Sequence, residues 1–177
     1  ALILFATFLI IAFMRSGSVR TIALVLAGAV LAVFVVLTVK PYVLDRFMGW
    51  GHVWEHINDN LGYSQTRTLT YLASGGFFGV GLGNSYLASV FAADSDLVFG
   101  LLCEEQGLLL GLVILLAFVL WVFYARSDVT RSRSTFFSIA ACAAAGMLLF
   151  QAALNVFGAT DVLPMTGVTL PFISSGG

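Results

Sequence analysis

"VFAADSDLVFGLLCEEQGLLLGLVILLAFVL" (residues 90–120) is the stretch that decides the fold. Its second half belongs to an apolar run, 97–123, that exceeds the about 20 residues a helix needs to cross a bilayer. Its first half carries four acids, Asp94, Asp96, Glu104 and Glu105. Ionisable groups inside membrane helices are costly and usually face a partner or a cavity. We therefore expect these acids to mark a site, an ion path or a buried hydrogen-bonded group.

The composition places the whole chain in a membrane. Of its 177 residues, 60% are hydrophobic and 10% are charged, and the mean hydropathy is +1.02. A soluble domain averages about 45–50% apolar and about 25% charged residues. The excess apolar surface requires lipid as its solvent, so we expect the membrane, and no nucleic acid, as a partner.

The hydropathy pattern predicts an all-α, polytopic membrane helix bundle with three full spans and a truncated one. The full spans are predicted at 21–39, 97–123 and 136–156. The apolar run 1–14 would reach only about 21 Å as a helix. We interpret it as part of a span that begins upstream.

Arginines in two short loops predict the orientation. Loops 15–20 and 124–134 carry an excess of arginine, which is typical of cytoplasmic loops. The connection 40–96 and the segment 157–177 then lie outside. The connection is rich in Leu, Phe, Tyr and Gly, and irregular backbone at membrane depth must be surrounded by protein or line a wet cavity. We therefore predict a large extracytoplasmic loop of short and re-entrant helices that roofs a pocket.

Asp96 is predicted at the start of a span, near the outer interface. Asp94 or Ser95 would cap that helix. Glu104 and Glu105 lie deeper in the same run and point in different directions around the helix axis. Each of them either lines a site or is a hydrogen-bonded acid within the membrane.

Two arginines of the outer connection, Arg46 and Arg67, are candidates for binding an anion. The guanidinium group presents a planar set of donors that matches phosphate oxygens. Two arginines near carboxylates would suit a lipid-linked anionic substrate. The alternative is ion pairing at the surface.

Three blocks of the sequence, in order, carry a family resemblance. They are "GYSQTRTLTYLASGGFFGVGLGNS" (62–85), "DSDLVFGLLCEEQG" (94–107) and "NVFGATDVLPMTGVTLPFISSGG" (155–177), and "KPYVLDR" (40–46) precedes them. They resemble the GYQ…QSL…GSGGLFGKGLGNS, HTDFIFAVIAEELG and N…LPVTGIPLPFISYGG blocks of the SEDS family (shape, elongation, division and sporulation), which includes FtsW, RodA and SpoVE. Most of 21–177 is covered.

The resemblance implies a peptidoglycan glycosyltransferase of the bacterial cytoplasmic membrane. Members of the family polymerise lipid II into glycan strands at the outer face, together with a class B penicillin-binding transpeptidase, in cell division, elongation or sporulation. The essential acid of the family falls on Asp96. Its other motif positions imply substrate contacts at Arg46, Arg67, Glu104, Glu105, Pro164, Thr166, Pro171 and Ser174, and at Gln65, which lies next to a motif position.

Some motif positions depart from the family pattern. The first Gln of the family falls on Ser64, with Gln65 next to it, the second Gln falls on Arg67, and the His before the essential acid falls on Asp94. These departures concern secondary substrate contacts and leave Asp96 in place.

Three functions follow as hypotheses. In a polymerase, Asp96 is the general base, or it binds Mg²⁺ or Mn²⁺ that neutralises a diphosphate. In a lipid II flippase, Glu104 or Glu105 would titrate during transport. In a scaffold for a transpeptidase, Asp96 would be dispensable.

Overall fold

A computed structural model describes residues 2–39, 50–58, 62–131 and 134–175. Within these ranges the chain is helical and contains no strand. The α-helices of the described residues are α1 (Leu2–Ser16), α2 (Val19–Val39), α3 (Tyr63–Gly75), α4 (Val98–Gln106), α5 (Leu108–Arg131) and α6 (Thr135–Ala159), with a 3₁₀ turn at Leu87–Ser89.

The chain forms two compact units. One contains Ala1–Val43 and Phe118–Phe150, and the other contains Leu44–Ala117 and Gln151–Gly177. Both α5 and α6 therefore contribute residues to each unit. The second unit contains the segments that resemble the family's functional blocks.

In the first unit, α1 and α2 pack as a hairpin around a glycine turn. Gly17 has a φ of 58°, and its amide donates to the Phe13 carbonyl at 2.8 Å. Gly146 on α6 lies against the side chain of Ile10, which a larger residue would displace. The glycine thus allows α1 and α6 to pack closely at this point, as small residues do in membrane helices.

Among the residues that the structure describes, two helices are long and apolar enough to cross a membrane, Leu108–Ser127 and Thr135–Ala159. Large apolar side chains on the helices are exposed, for example Leu24 at 75% and Phe123 at 62%. Water would penalise so much exposed apolar surface, whereas lipid would not. The predicted helices at 21–39 and 136–156 are present within one to three residues of their predicted ends, while the number of spans stays a prediction.

The single helix predicted over 97–123 is wrong, because the chain breaks it at Gly107. This residue has a φ of 88°, which glycine adopts readily and other residues rarely adopt. The amides of Leu108 and Leu109 then donate to the carbonyls of Gly76 and Phe77, at 2.9 and 3.4 Å. The first amides of α5 have no partner inside their own helix, so this glycine-rich turn supplies their acceptors.

The core of the second unit forms where α3 packs against α4. Gly100 on α4 lies against the side chain of Thr68, and Gly75 lies against the backbone at Cys103 and Glu104. Leu87, Leu97 and Leu170 of the same unit are fully buried. In the described part of the connection 40–96, α3 and the 3₁₀ turn are the helical elements.

Candidate functional site

Asp96 lies in a tight turn immediately before α4. The amides of Ser95, Asp96 and Leu97 donate to one carbonyl, that of Ala92, at 3.2, 3.0 and 3.3 Å. Leu97 is the N-cap, and no side chain caps the helix. The predicted capping by Asp94 or Ser95 is therefore wrong, because the helix begins later than expected. The half-buried side chain of Asp96 projects from a fixed turn.

The C-terminal segment holds this turn in place. The Ser174 hydroxyl donates to the main-chain oxygen of Ser95 at 2.7 Å and accepts the Leu170 amide, also at 2.7 Å. The Ser175 amide donates to the main-chain oxygen of Asp94 at 2.8 Å. The second and third motif blocks, far apart in sequence, thus meet at Asp96.

Asn155 on α6 supplies a further link to the same turn. Its Nδ2 donates to the main-chain oxygens of Asp96 and Val168, at 3.0 and 2.7 Å. Carbonyl oxygens accept only, so these two partners fix which end of the amide faces them. The Asn155 side chain is 3% exposed and joins three segments.

A small hollow lies beside Asp96. Its walls are Asp96, the end of α6 and residues 165–168, and it is narrower than a water molecule. Gly167 has a φ of 64°, and a Cβ there would lie 3.1 Å from Asp96 Oδ2. The glycine lets the backbone approach the carboxylate closely.

Two oxygens at this hollow have no hydrogen-bond partner. Asn155 Oδ1 and Thr166 Oγ1 are the buried side-chain polar atoms without one among the residues that the structure describes, and both residues line the hollow. A buried, unsatisfied polar atom costs about 1–3 kcal/mol. Proteins rarely leave such atoms unpaired, so a pair of them beside Asp96 indicates a binding function.

Glu104 and Glu105 hold a loop rather than line the hollow. Glu104 is fully buried, and its two carboxylate oxygens accept the amides of Tyr86 and Leu87 at 2.8 and 2.9 Å. Glu105 Oε1 accepts the Ser85 hydroxyl at 2.7 Å and the Gly83 amide at 3.2 Å. These contacts favour the hydrogen-bonded alternative, so each acid positions the loop 83–87.

Gln65 is likewise an internal residue. Its Nε2 donates to the Gly158 carbonyl at 2.9 Å and to Asp161 Oδ1 at 3.0 Å, which ties α3 to the end of α6. Gly158 also lines the hollow. Gln65 thus stabilises the end of α6 that forms one wall of the hollow.

The two prolines bracket the segment that carries Thr166. Pro164 is partly exposed and precedes the hollow-lining residues, whereas Pro171 is buried in the turn that Ser174 closes. Thr166 lines the hollow directly. The third motif block therefore supplies one wall of the hollow and the turn behind it.

Arg67 lies apart from these contacts. Its guanidinium group sits 5.4 Å from the centre of the Tyr63 ring and donates to the Tyr71 hydroxyl at 3.4 Å. The side chain is exposed, and it is not among the residues that line the hollow. Arg46, the other predicted anion ligand, lies outside the described residues.

The hollow has the oxygen atoms of a cation site with few protein ligands. Across 2–39, 50–58, 62–131 and 134–175, no three His, Cys, Asp or Glu side chains cluster closely enough to hold a metal ion. The hollow offers the carboxylate of Asp96 and the neutral oxygens of Asn155 and Thr166. Mg²⁺ is commonly held by one or two carboxylates together with substrate phosphates. This donor set fits such a cation.

Comparison with known proteins identifies the group to which this arrangement belongs. The sequence profile of the FtsW/RodA/SpoVE proteins, described as "Cell cycle protein", matches residues 1–177. The chain belongs to the FtsW/RodA/SpoVE family. The resemblance of its three motif blocks is thereby confirmed.

FtsW proteins are among the relatives of the chain. It is 31% identical, over 99% of its length, to the "Probable peptidoglycan glycosyltransferase FtsW" of Buchnera aphidicola subsp. Acyrthosiphon pisum, of which it covers 45%. It is 33% identical, over its whole length, to the protein of the same name from Wigglesworthia glossinidia brevipalpis, of which it covers 48%. The chain thus spans about half the length of these FtsW relatives.

Sequence reasoning missed Asn155 as a functional residue of this FtsW/RodA/SpoVE member. The residue opens the third motif block, and it is one of two side-chain amides, with Gln151, in a mostly apolar helix. A polar side chain in such a helix usually faces a partner inside the bundle. That signal, applied to Asn155 as it was to the acids, would have found it.

Proposed function

We propose that the full-length protein is a peptidoglycan glycosyltransferase that polymerises lipid II at the outer face of the bacterial cytoplasmic membrane. The observation that carries the proposal is the placement of Asp96, whose carboxylate borders a hollow in a turn held by Asn155 and Ser174. The names of the FtsW relatives support the same activity. The apolar helices support a multi-pass membrane location.

The chemistry assigns Asp96 the role of general base. A sugar hydroxyl of one substrate attacks the anomeric carbon of the other, and a new C–O bond forms. The bond from that carbon to the diphosphate breaks, and polyprenyl diphosphate leaves with the electron pair. The hydroxyl proton passes to the Asp96 carboxylate. General-base catalysis requires such a group within hydrogen-bond reach of the proton.

The leaving diphosphate requires positive charge nearby. Arg67 is exposed on α3 and is available to an anionic headgroup, and we assign Arg46 to the same role. In the alternative role, Asp96 would not be the base but would hold Mg²⁺ or Mn²⁺, which would neutralise charge at the diphosphate. We also propose a class B penicillin-binding transpeptidase as the partner that cross-links the product.

The test is glycan polymerisation by the purified full-length protein from lipid II in detergent. Asp96→Asn changes almost no volume, so it should keep expression and lipid II binding while polymer formation falls by at least about 100-fold, the lower end of general-base effects. Glu55→Gln is the matched control, because it removes the same charge from an exposed side chain that does not line the hollow. The control should retain polymerisation.

Normal polymer output from Asp96→Asn would overturn the proposal and favour a scaffold. A flippase would give no polymer in detergent, where there is no membrane to cross. Of the two acids assigned to transport, Glu104 has both carboxylate oxygens occupied by backbone amides, and Glu105 accepts the Ser85 hydroxyl and the Gly83 amide. No observation on the described residues favours transport over polymerisation.

A further inference from the structure

We propose that Asn155 Oδ1 and Thr166 Oγ1 form one subsite with the Asp96 carboxylate, in which they hold hydrogen-bond donors of the acceptor sugar. The donors are a hydroxyl or an acetamido N–H group beside the attacking hydroxyl. This inference rests on the proposed function and names the substrate group that the hollow recognises. It makes Asn155 and Thr166 substrate-binding residues for the transfer step.

The hydrogen-bonding capacity of the three side chains indicates which ligand groups they can bind. Asn155 Oδ1 can only accept hydrogen bonds, because the Nδ2 end of the same amide faces two carbonyl oxygens. An ionised carboxylate also only accepts, and a threonine hydroxyl can accept as well as donate. Three acceptors at one place suit a ligand with several donors, such as the edge of an amino sugar.

The burial of these oxygens argues against a purely structural role. Asn155 is 3% exposed, and within the described ranges its Oδ1 and the Thr166 hydroxyl are the two buried side-chain polar atoms that no other group satisfies. A packing role alone would be served better by apolar side chains of the same shape. Their common position beside Asp96 gives both atoms the same function.

The wall of the hollow must move to admit a sugar. The hollow is narrower than a water molecule, and the segment 165–168 forms one side of it. Hydrogen bonds from Asn155 to Val168 and from Gln151 to Thr169, at 3.1 Å, hold this segment to α6. A small outward shift of this segment would admit a hydroxyl or N–H group, while the hydrogen bond from Asn155 Nδ2 to Asp96 keeps Oδ1 as the acceptor.

The decisive variant is Thr166→Val in the purified full-length protein. It replaces an unpaired hydroxyl by a methyl group of the same size, so the melting temperature should stay the same or rise. Loss of one hydrogen bond to substrate should lower kcat/KM for lipid II polymerisation by about threefold to tenfold. Thr166→Ser, which keeps the hydroxyl, should restore most of that loss.

Thr160→Val is the matched control. Its hydroxyl donates to the carbonyl of its own helix at Val156, and it does not line the hollow. This variant should leave kcat/KM for lipid II unchanged. A fall equal to that of Thr166→Val would contradict a specific subsite.

Two outcomes would overturn the inference while leaving the proposed function intact. In the first, Asp96→Asn abolishes polymerisation while Thr166→Val keeps full kcat/KM. In the second, Thr166→Val shifts the Mg²⁺ or Mn²⁺ concentration needed for half-maximal rate and leaves the KM for lipid II unchanged, which would make the oxygens ion ligands. If Asp96→Asn polymerises normally, the proposed function itself fails.

Discussion

The side-chain amide of Asn155 donates at 3.0 Å to the main-chain oxygen of Asp96, across a separation of 59 residues in sequence. The same amide group donates to Val168, so a single residue fixes both the acid and the opposite wall of the hollow. Its other end, Oδ1, has no partner in the described part of the chain. Asn155 thus combines a structural contact with a free acceptor.

Replacing Asn155 should affect activity more than stability. Asn155→Leu leaves the main-chain oxygens of Asp96 and Val168 without this donor, which should lower the free energy of unfolding by about 1–3 kcal/mol. Gln151→Leu is the control, because Gln151 donates to Thr169 and does not touch Asp96. Thermal unfolding and polymerisation, measured side by side, should show similar stability losses but a much larger activity loss for Asn155→Leu. Equal activity losses would contradict the assignment.

A methyl group at Gly167 should displace the Asp96 carboxylate. Gly167→Ala forces a Cβ to within 3.1 Å of Asp96 Oδ2 and adds the cost of a positive φ, about 1–2 kcal/mol. Gly17→Ala is the matched control, since Gly17 also has a positive φ but has no neighbour within 4 Å. Both variants should lose similar stability, whereas polymerisation should fall at least about tenfold only in Gly167→Ala, because a misplacement of about 1 Å is costly in catalysis. Full activity of Gly167→Ala would show that the carboxylate adjusts freely.

The two adjacent acids should respond differently to the loss of one carboxylate oxygen. Glu104 uses both oxygens for two amides, so Glu104→Gln sets an NH₂ group against an N–H donor and should cost about 1.5–3 kcal/mol of unfolding free energy. Glu105 uses one oxygen for both of its contacts. Glu105→Gln retains that oxygen and should be nearly neutral in thermal unfolding. Equal melting temperatures for the two variants would contradict a stabilising role for the two amide contacts of Glu104.

The helix break should depend on one glycine. Gly107→Ala places a Cβ against the Phe77 carbonyl at a φ of 88°, so we expect a loss of more than about 2 kcal/mol, beyond the cost of the backbone conformation alone. Gly28→Ala in α2 meets nothing within 4 Å and replaces a poor helix former, so it should be neutral or stabilising. Comparing their melting temperatures in detergent tests this. A stable Gly107→Ala protein would mean that the helix can run through the break.

The sequence predicted the helices and the position of the acid, but it could not predict the contacts. The apolar runs fixed α2 and α6 within one to three residues of their ends. Hydropathy is continuous through Gly107, so it gave no sign of the break. The break depends on carbonyls at Gly76 and Phe77 that lie about 30 residues earlier, and hydropathy does not report such tertiary acceptors.

For the candidate site, the sequence likewise predicted which residues take part but not the contacts that they make. The motif blocks marked Asp96, Thr166 and Ser174, which the structure brings into one region. They also marked Glu104, whose carboxylate turned out to hold a loop, because sequence shows that an acid is present but not which amides it accepts. Asn155 was missed, since its importance lies in two carbonyls that only the folded chain brings to it.

The turn at Gly76 and Phe77 also restricts how relatives of this protein can vary in length. Its carbonyls accept the first amides of α5. A residue inserted just before this turn, or deleted from the end of α3, would move both carbonyls away from these amides. The glycine-rich connection should therefore tolerate exchange of side chains such as the exposed Phe78 but not a change in its number of residues. In a library of variants with single-residue insertions across 74–80, the insertions in this turn should abolish function, whereas substitutions of Phe78 should not.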